Sequence, residues 1–283
     1  MKFKTALKIV FTSNGGLVMF KFIFSISLLL LIAISFDFNK TLELLANIDF
    51  IYFLIALIIL VFQMLIASYR WRKLLFHFNF YPTYLATLRY LLVGLFFNQA
   101  LPSSIGGDAL RIYYVRKNGI SIRNSSLSVL LDRLFGVIGL MVLVLAVTPS
   151  FLDKLSDAVL EYGIIISIVG IFSIIGVVLA LDFLPNKLSN FRIIRGLYAL
   201  SFEGRRLIMS KFYGIRLIII SVVIHLLSVY TVLILSKGLG ITVEWLDVLL
   251  VVPVVTLFML IPISIAGWGV REGVMVFLLG YFS

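Results

Sequence analysis

The chain has 283 residues, 62% of them hydrophobic and 13% charged, with a mean hydropathy of +1.16. A soluble domain carries about 25% charged residues, so this composition excludes a soluble globular protein and requires an integral membrane one. Cysteine is absent, which excludes disulfides, thiolate metal sites and cysteine nucleophiles, while the net charge of +11 is gathered in loops between apolar runs, as orientation against an anionic membrane demands and a nucleic-acid partner does not.

Taken in chain order, with roughly 17 to 25 mostly apolar residues counted as one crossing, full spans are predicted at 19–36, 51–67, 134–148, 163–181 and 217–235. The third is short and needs its neighbours. Two further apolar segments, 90–101 and 248–261, end in proline and glycine instead of a charged loop. They read as broken or re-entrant helices. A competing reading of the first span is a cleavable signal peptide, because lysines precede it and Ala33-Ile34-Ser35 loosely fits a small-x-small site.

Loop charges orient these elements. The N-terminus up to Lys21 has four basic residues and no acid; loop 37–50 sets Lys40 against Asp37, Glu43 and Asp49; loop 68–89 holds Arg70, Arg72, Lys73 and Arg89 with no acid. Beyond segment 90–101 the chain is basic again, with Arg111, Arg116, Lys117 and Arg123 against Asp108. Both flanks of that segment are positive, which predicts entry and exit on one side, the cytoplasmic one. Loop 149–162 is acidic, loop 182–216 has seven Lys or Arg against two acids, and loop 236–247 is weakly acidic. The N-terminus is therefore expected in the cytoplasm of a cell bounded by this plasma membrane, and segment 248–261 starts from outside.

The interrupted segments share a motif. Residues 101–111 read LPSSIGGDALR and residues 261–271 read IPISIAGWGVR, with Pro, Ser, Ile, Gly and Arg identical in register. Three full crossings lie between them, so the second copy meets the membrane from the opposite face, an inverted repeat with candidate halves 19–148 and 163–282 of a single domain, 1–283. Secondary transporters use such interrupted helices to build a site near the bilayer midplane. Proline ends each incoming helix, and glycine permits a tight turn. Irregular backbone must line a protein-enclosed or watery cavity, since unsatisfied amides facing lipid cost several kcal/mol. Two ordinary packed loops are the plainer alternative.

Asp108, Arg111, Asp132, Arg133, Arg271 and Glu272 sit within or beside apolar segments, where ionised groups are costly and are paired or functional. Asp108 and Arg111 are three apart, a helix-face spacing; Asp108 or Asp132 paired with Arg271 would instead join the two copies. The guanidinium fork suits phosphate. Arg111 and Arg271 are accordingly expected to contact an anionic head group in a cavity between the copies, with interfacial or structural ion pairs as the alternative. Residues 185–213 place Leu188, Phe191, Ile194 and Tyr198 at helical spacing among Lys187, Arg192, Arg195, Arg205 and Arg206. This predicts a basic amphipathic helix on the cytoplasmic surface, attracted to anionic lipid.

Asn98 with LPSSIGGDALR, the following YYVRKNG, DRLFG at 132–136 and the terminal PISIAGWGVREG resemble the lysylphosphatidylglycerol synthase/flippase transmembrane family over nearly the whole chain. That resemblance implies an all-α polytopic domain, here about five full spans plus the two broken segments, that moves lipids or lipid-linked head groups between leaflets. In bifunctional members an aminoacyltransferase domain follows the membrane part; none is expected here after Ser283, so lipid modification is not carried over. Expected partners are a membrane phospholipid or a polyprenyl-linked lipid, with no nucleic acid. The expected substrate-contacting residues are Asn98, Pro102, Ser104, Gly106, Gly107, Asp108, Arg111, Asp132 and Arg133, with Pro262, Ser264, Gly267, Arg271 and Glu272 from the second copy.

Other side chains weigh less. His225 falls in mid-span, where a proton shuttle competes with a packing histidine; His77 lies in a basic loop; Trp71, Trp245 and Trp268 sit near span boundaries or the second motif. Gly106-Gly107 lacks the lysine and spacing of a nucleotide loop. The sequence offers no metal cluster, cofactor motif or catalytic triad. Two further classes remain open: a membrane enzyme acting on polyprenyl-phosphate lipids with Asp108 or Asp132 as base, and a non-catalytic accessory subunit.

Overall fold

The computed structural model describes residues 15–35, 37–100, 106–152, 158–183, 192–259, 264 and 267–282. Among them the chain is helical throughout: α1 Gly15–Ser35, α2 Phe38–Ala46, α3 Phe50–His77, α4 Tyr84–Ala100, α5 Gly106–Lys117, α6 Ile122–Leu152, α7 Ala158–Ala180, a 3-10 turn Leu181–Phe183, α8 Arg192–Met209, α9 Lys211–Gly238, α10 Trp245–Phe258 and α11 Val270–Phe282. This is an all-α polytopic membrane protein. Three of the described helices, α3, α6 and α9, are long and apolar enough to cross a bilayer. The apolar α7 has 23 residues, about 34 Å at the helical rise.

Helix boundaries differ from the hydropathy reading at charged residues. The span expected at 51–67 continues to His77, the one at 134–148 starts at Ile122, and the one at 217–235 starts at Lys211. Hydropathy ends a span at its first ionised residue, but Arg70 and Asp132 are ion-paired inside the protein and Arg133 pairs with Asp108, so α3 and α6 run through them, while α9 begins among the exposed Lys211 and Arg216. Real stops coincide with backbone chemistry instead. Asn79 takes a left-handed φ of 56° after α3, Gly119 one of 100° after α5, and the Thr83 hydroxyl accepts from the Ala86 amide at the start of α4.

The bundle is organised around α9. Helix α3 runs antiparallel to it along its length: Asp49 N–H donates to the Gly238 carbonyl at one end, Gln63 donates to Ser228 Oγ at 2.7 Å in the middle, and the Tyr213 hydroxyl donates to the Lys73 carbonyl at the other. Helix α6 runs parallel to α9, since Leu131 and Leu134 share one core cluster with Leu217, whereas Leu143 and Val147 share the next with Val229 and Leu233. The C-terminus of α3 and the N-termini of α6 and α9 therefore meet at one end, the basic one.

Segment 90–101 is the outer arm of a hairpin. Helices α4 and α5 pack against each other antiparallel: Tyr90 stacks on Tyr114 with centroids 5.4 Å apart, Asn118 Nδ2 donates to the Tyr90 hydroxyl, and the Gly107 amide donates to Asn98 Oδ1 at 2.9 Å. Arg89 and Lys117 consequently lie at the same end, as their shared positive charge predicted. The approach is close enough to require glycine: a Cβ on Gly107 would fall 1.9 Å from the Gly94 carbonyl oxygen. Helix α10 begins at the opposite end, with Val248, Leu249 and Leu250 packed beside Val147 and Leu233. It packs on α11 across a turn in which Gly267 and Gly269 hold φ of 81° and 80°. Residues 101–105 and Pro262, hence Pro102 and Ser104 of the motif, lie outside the described residues.

Candidate functional site

The first motif delivers its charges into the protein. Because α5 starts at Gly106, Asp108 sits in its first turn, where the helix dipole favours an acid, and Arg111 follows one turn later. Gly94 clears the way on α4: a Cβ there would meet Arg111 Cγ at 2.7 Å and Cδ at 2.8 Å. Helix α6 contributes Asp132 and Arg133, adjacent in sequence and so about 100° apart around the helix. Helix α3 contributes Arg70 and Trp71, and α9 contributes Ser221.

These side chains form one network. Asp132 accepts from Arg70 Nε at 3.0 Å on one carboxylate oxygen and from Arg111 Nη2 at 2.7 Å on the other. Arg70 Nη1 also donates to Ser221 Oγ at 2.8 Å, whose own hydroxyl donates to the Leu217 carbonyl. Asp108 lies 3.6 Å from Arg111 Nη1 and accepts from Arg133 Nε. The Arg111 guanidinium lies over the Trp71 ring, 4.0 Å from its centroid, a cation–π contact. Three arginines against two carboxylates leave one excess positive charge. Four of the five side chains are at most 10% exposed, whereas Arg133 is 43% exposed. The network thus leads from the surface at Arg133, through Asp108, to a buried interior.

Its inner end is not fully satisfied. Arg111 Nε, Trp71 Nε1 and Ser68 Oγ are buried without a hydrogen-bond partner. Two of these atoms are N–H donors that lack an acceptor, and an unmet buried donor costs about 1–3 kcal/mol. The chemistry such a centre can perform is recognition of an anion: a planar cationic fork, excess positive charge and unfilled donors.

The second motif is built differently. Glu272 Oε1 accepts from Arg271 Nε and Nη2 at 2.9 and 2.6 Å, while its Oε2 accepts from the Gly269 amide at 2.8 Å. The Arg271 side chain is 51% exposed. Helix α5 begins four residues earlier in its motif than α11 does, so Arg111 is the sixth residue of α5 and Arg271 the second of α11. That shift leaves Arg271 beside a helix terminus and its own neighbour. The expected alternative pairing of Asp108 or Asp132 with Arg271 is not what forms: Arg70, Arg111 and Arg133 take those carboxylates. Ser264 is buried, and Gly267 packs on Met259.

Of the expected residues, the structure therefore brings together Asn98, Gly106, Gly107, Asp108, Arg111, Asp132 and Arg133, and sets Gly267, Arg271 and Glu272 in a separate turn. Arg70, Trp71 and Ser221 are additions. The signal for the first two was the run Trp71, Leu74, Leu75 and Phe78, whose helical spacing continues past the first charge with no breaker before Asn79. His225 Nε2 donates to the Gly136 carbonyl at 2.9 Å, a bond between α9 and α6 that fits a packing role. His77 pairs with Glu203 at 2.8 Å. No group of three or more acidic or histidine side chains able to hold a metal ion is present among the described residues.

No curated protein and no solved structure matches the chain. A family model does, the lysylphosphatidylglycerol synthase TM region, over residues 18–283. That span contains both interrupted segments and every charge of the network. The chain belongs to the lysylphosphatidylglycerol synthase transmembrane-region family, and is a multi-pass membrane protein concerned with lipids.

Proposed function

We propose that the protein is a lipid flippase that moves a lipid with an anionic, phosphate-bearing head group between leaflets, and that the head group engages Arg133 first and Arg111 second. The observation that carries this reading is the gradient of exposure along the network. Arg133 is reachable from outside the bundle, Asp108 bridges it to Arg111, and Arg111 holds an unfilled buried donor. A phosphate entering beside Arg133 offers charged acceptor oxygens to the guanidinium fork and competes with Asp108 for Arg111, at a contact that is already long at 3.6 Å. Asp132 keeps Arg111 oriented throughout, because Arg70 fixes its other oxygen. Asn98 and Gly107 keep α5 at the depth this requires.

Arg271 and Glu272 act in the same cycle as a later contact, from the segment that starts at the opposite end of the bundle. The basic end faces the cytoplasm and the membrane is the plasma membrane, on the strength of the loop charges. A membrane enzyme that used Asp108 or Asp132 as a base would need one of those carboxylates unengaged, and arginines hold both.

Translocation in proteoliposomes tests the proposal, with labelled anionic phospholipid and, separately, a polyprenyl-phosphate sugar, wild type beside Arg111→Ala. Movement of either lipid that Arg111→Ala abolishes supports it. A chemically altered lipid would replace it with the enzymatic reading, and absence of movement by folded protein under every applied gradient would overturn it.

A further inference from the structure

The charged helix between α7 and α9 does not take part in the network, and its two faces differ sharply. The inward face of α8 carries Ala199, Leu200, Ser201, Gly204 and Leu207, all buried; Ala199, Leu200 and Leu207 share a core cluster with Trp71, Leu74 and Leu131. Both acids of the region are spent on this side. Glu203 pairs with His77, and Asp182 accepts from Ser201 Oγ and from Arg205, whose guanidinium lies over Phe183.

The outward face presents Arg195, Phe202, Arg206 and Met209, all exposed. Their spacing of seven, four and three residues keeps them within one stripe of a helix with 3.6 residues per turn. Beyond the break at Ser210, Lys211 and Phe212 at the start of α9 are exposed as well, Phe212 at 91%, next to Met209 at 73%. These three cations and three large apolar side chains are thus exposed within residues 195–212, with no exposed acid among them. The stripe lies at the basic end of the bundle, beside the C-terminal part of α3.

We infer that this face is a binding surface for anionic phospholipid head groups of the leaflet at the basic end, with Phe202, Met209 and Phe212 inserted among the acyl chains and Arg195, Arg206 and Lys211 on the phosphates. A soluble partner would not match large apolar side chains this exposed flanking cations at the membrane boundary. A bilayer matches both, since apolar insertion and attraction to anionic lipid act on the same surface. The inference is independent of transport, because the stripe holds none of the network residues and its occupancy is read without moving lipid.

The absence of cysteine lets single spin labels report depth. Phe202→Cys and Met209→Cys, each spin-labelled, are reconstituted in phosphatidylcholine alone and in phosphatidylcholine mixed with phosphatidylglycerol, and collisions with oxygen and with a water-soluble nickel chelate are compared. Addition of phosphatidylglycerol is expected to shift both labels from nickel-accessible to oxygen-accessible. High salt, or the combined Arg195→Gln, Arg206→Gln and Lys211→Gln changes, which leave the packed face untouched, should reverse the shift. Labels that stay nickel-accessible in both mixtures would overturn the inference and leave the face to a soluble partner or a second copy. Labels equally oxygen-accessible in both, whatever the charge state, would overturn the anionic recognition.

Discussion

Arg70 and Arg111 hold the two oxygens of one carboxylate, that of Asp132, although they come from helices on either side of it. This shared acid locks α3, α5 and α6 together and fixes the direction of the Arg111 fork. Removing one member of a buried ionic cluster leaves uncompensated charge, which costs about 3–5 kcal/mol.

Asp132→Asn should therefore destabilise the fold by about that amount, seen as a lower thermal midpoint in detergent, while Asp108→Asn should cost less because its partner Arg133 is 43% exposed. Equal losses from the two variants would show that Asp132 is not the pivot.

Arg111→Lys keeps the charge but loses the fork to Asp132 and the stacking on Trp71. Charge-assisted bonds are worth ~1.5–3 kcal/mol, so translocation should fall roughly ten- to hundredfold in protein that still elutes as a single folded species. Undiminished transport by Arg111→Lys would remove this residue from the head-group contact.

Gly107→Ala should prevent proper pairing of α4 and α5, since its Cβ would sit 1.9 Å from backbone that cannot yield. Gly176→Ala, with nothing within 4 Å, should be neutral or raise stability by up to ~1 kcal/mol through helix propensity. Thermal midpoints of the two variants, measured side by side, check both.

Single cysteines at Arg89 and Lys117 should react with a membrane-impermeant maleimide from the same face, and one at Ile241 from the other, given the hairpin pairing of Tyr90 with Tyr114 and the antiparallel run of α3 on α9. Reaction of Arg89→Cys and Lys117→Cys from opposite faces would mean that segment 90–101 crosses completely.

The apolar helices and the basic end were legible in the sequence, because hydropathy and loop charge are properties of consecutive residues, whereas the helix Phe38–Ala46 read as a charged loop. Asp108, Arg111, Asp132 and Arg133 stood out for the same reason: an ionised side chain among apolar neighbours is visible wherever the chain goes. Arg70 did not stand out, since a charge following a span resembles an interfacial anchor until the helix is seen to continue past it.

What the sequence determined by itself was which stretches are apolar enough to enter a membrane, where the positive charge gathers, and which charges cannot be left unpaired among apolar neighbours. The tertiary structure decided the partners. Arg111 met Asp132 because α5 packs on α6 and Gly94 leaves room for its side chain, whereas Arg271, with the same place in its motif, paired with Glu272 because its helix starts four residues later. Pairing depends on distances across helices from different parts of the chain, and those distances are set by packing, which no local pattern encodes.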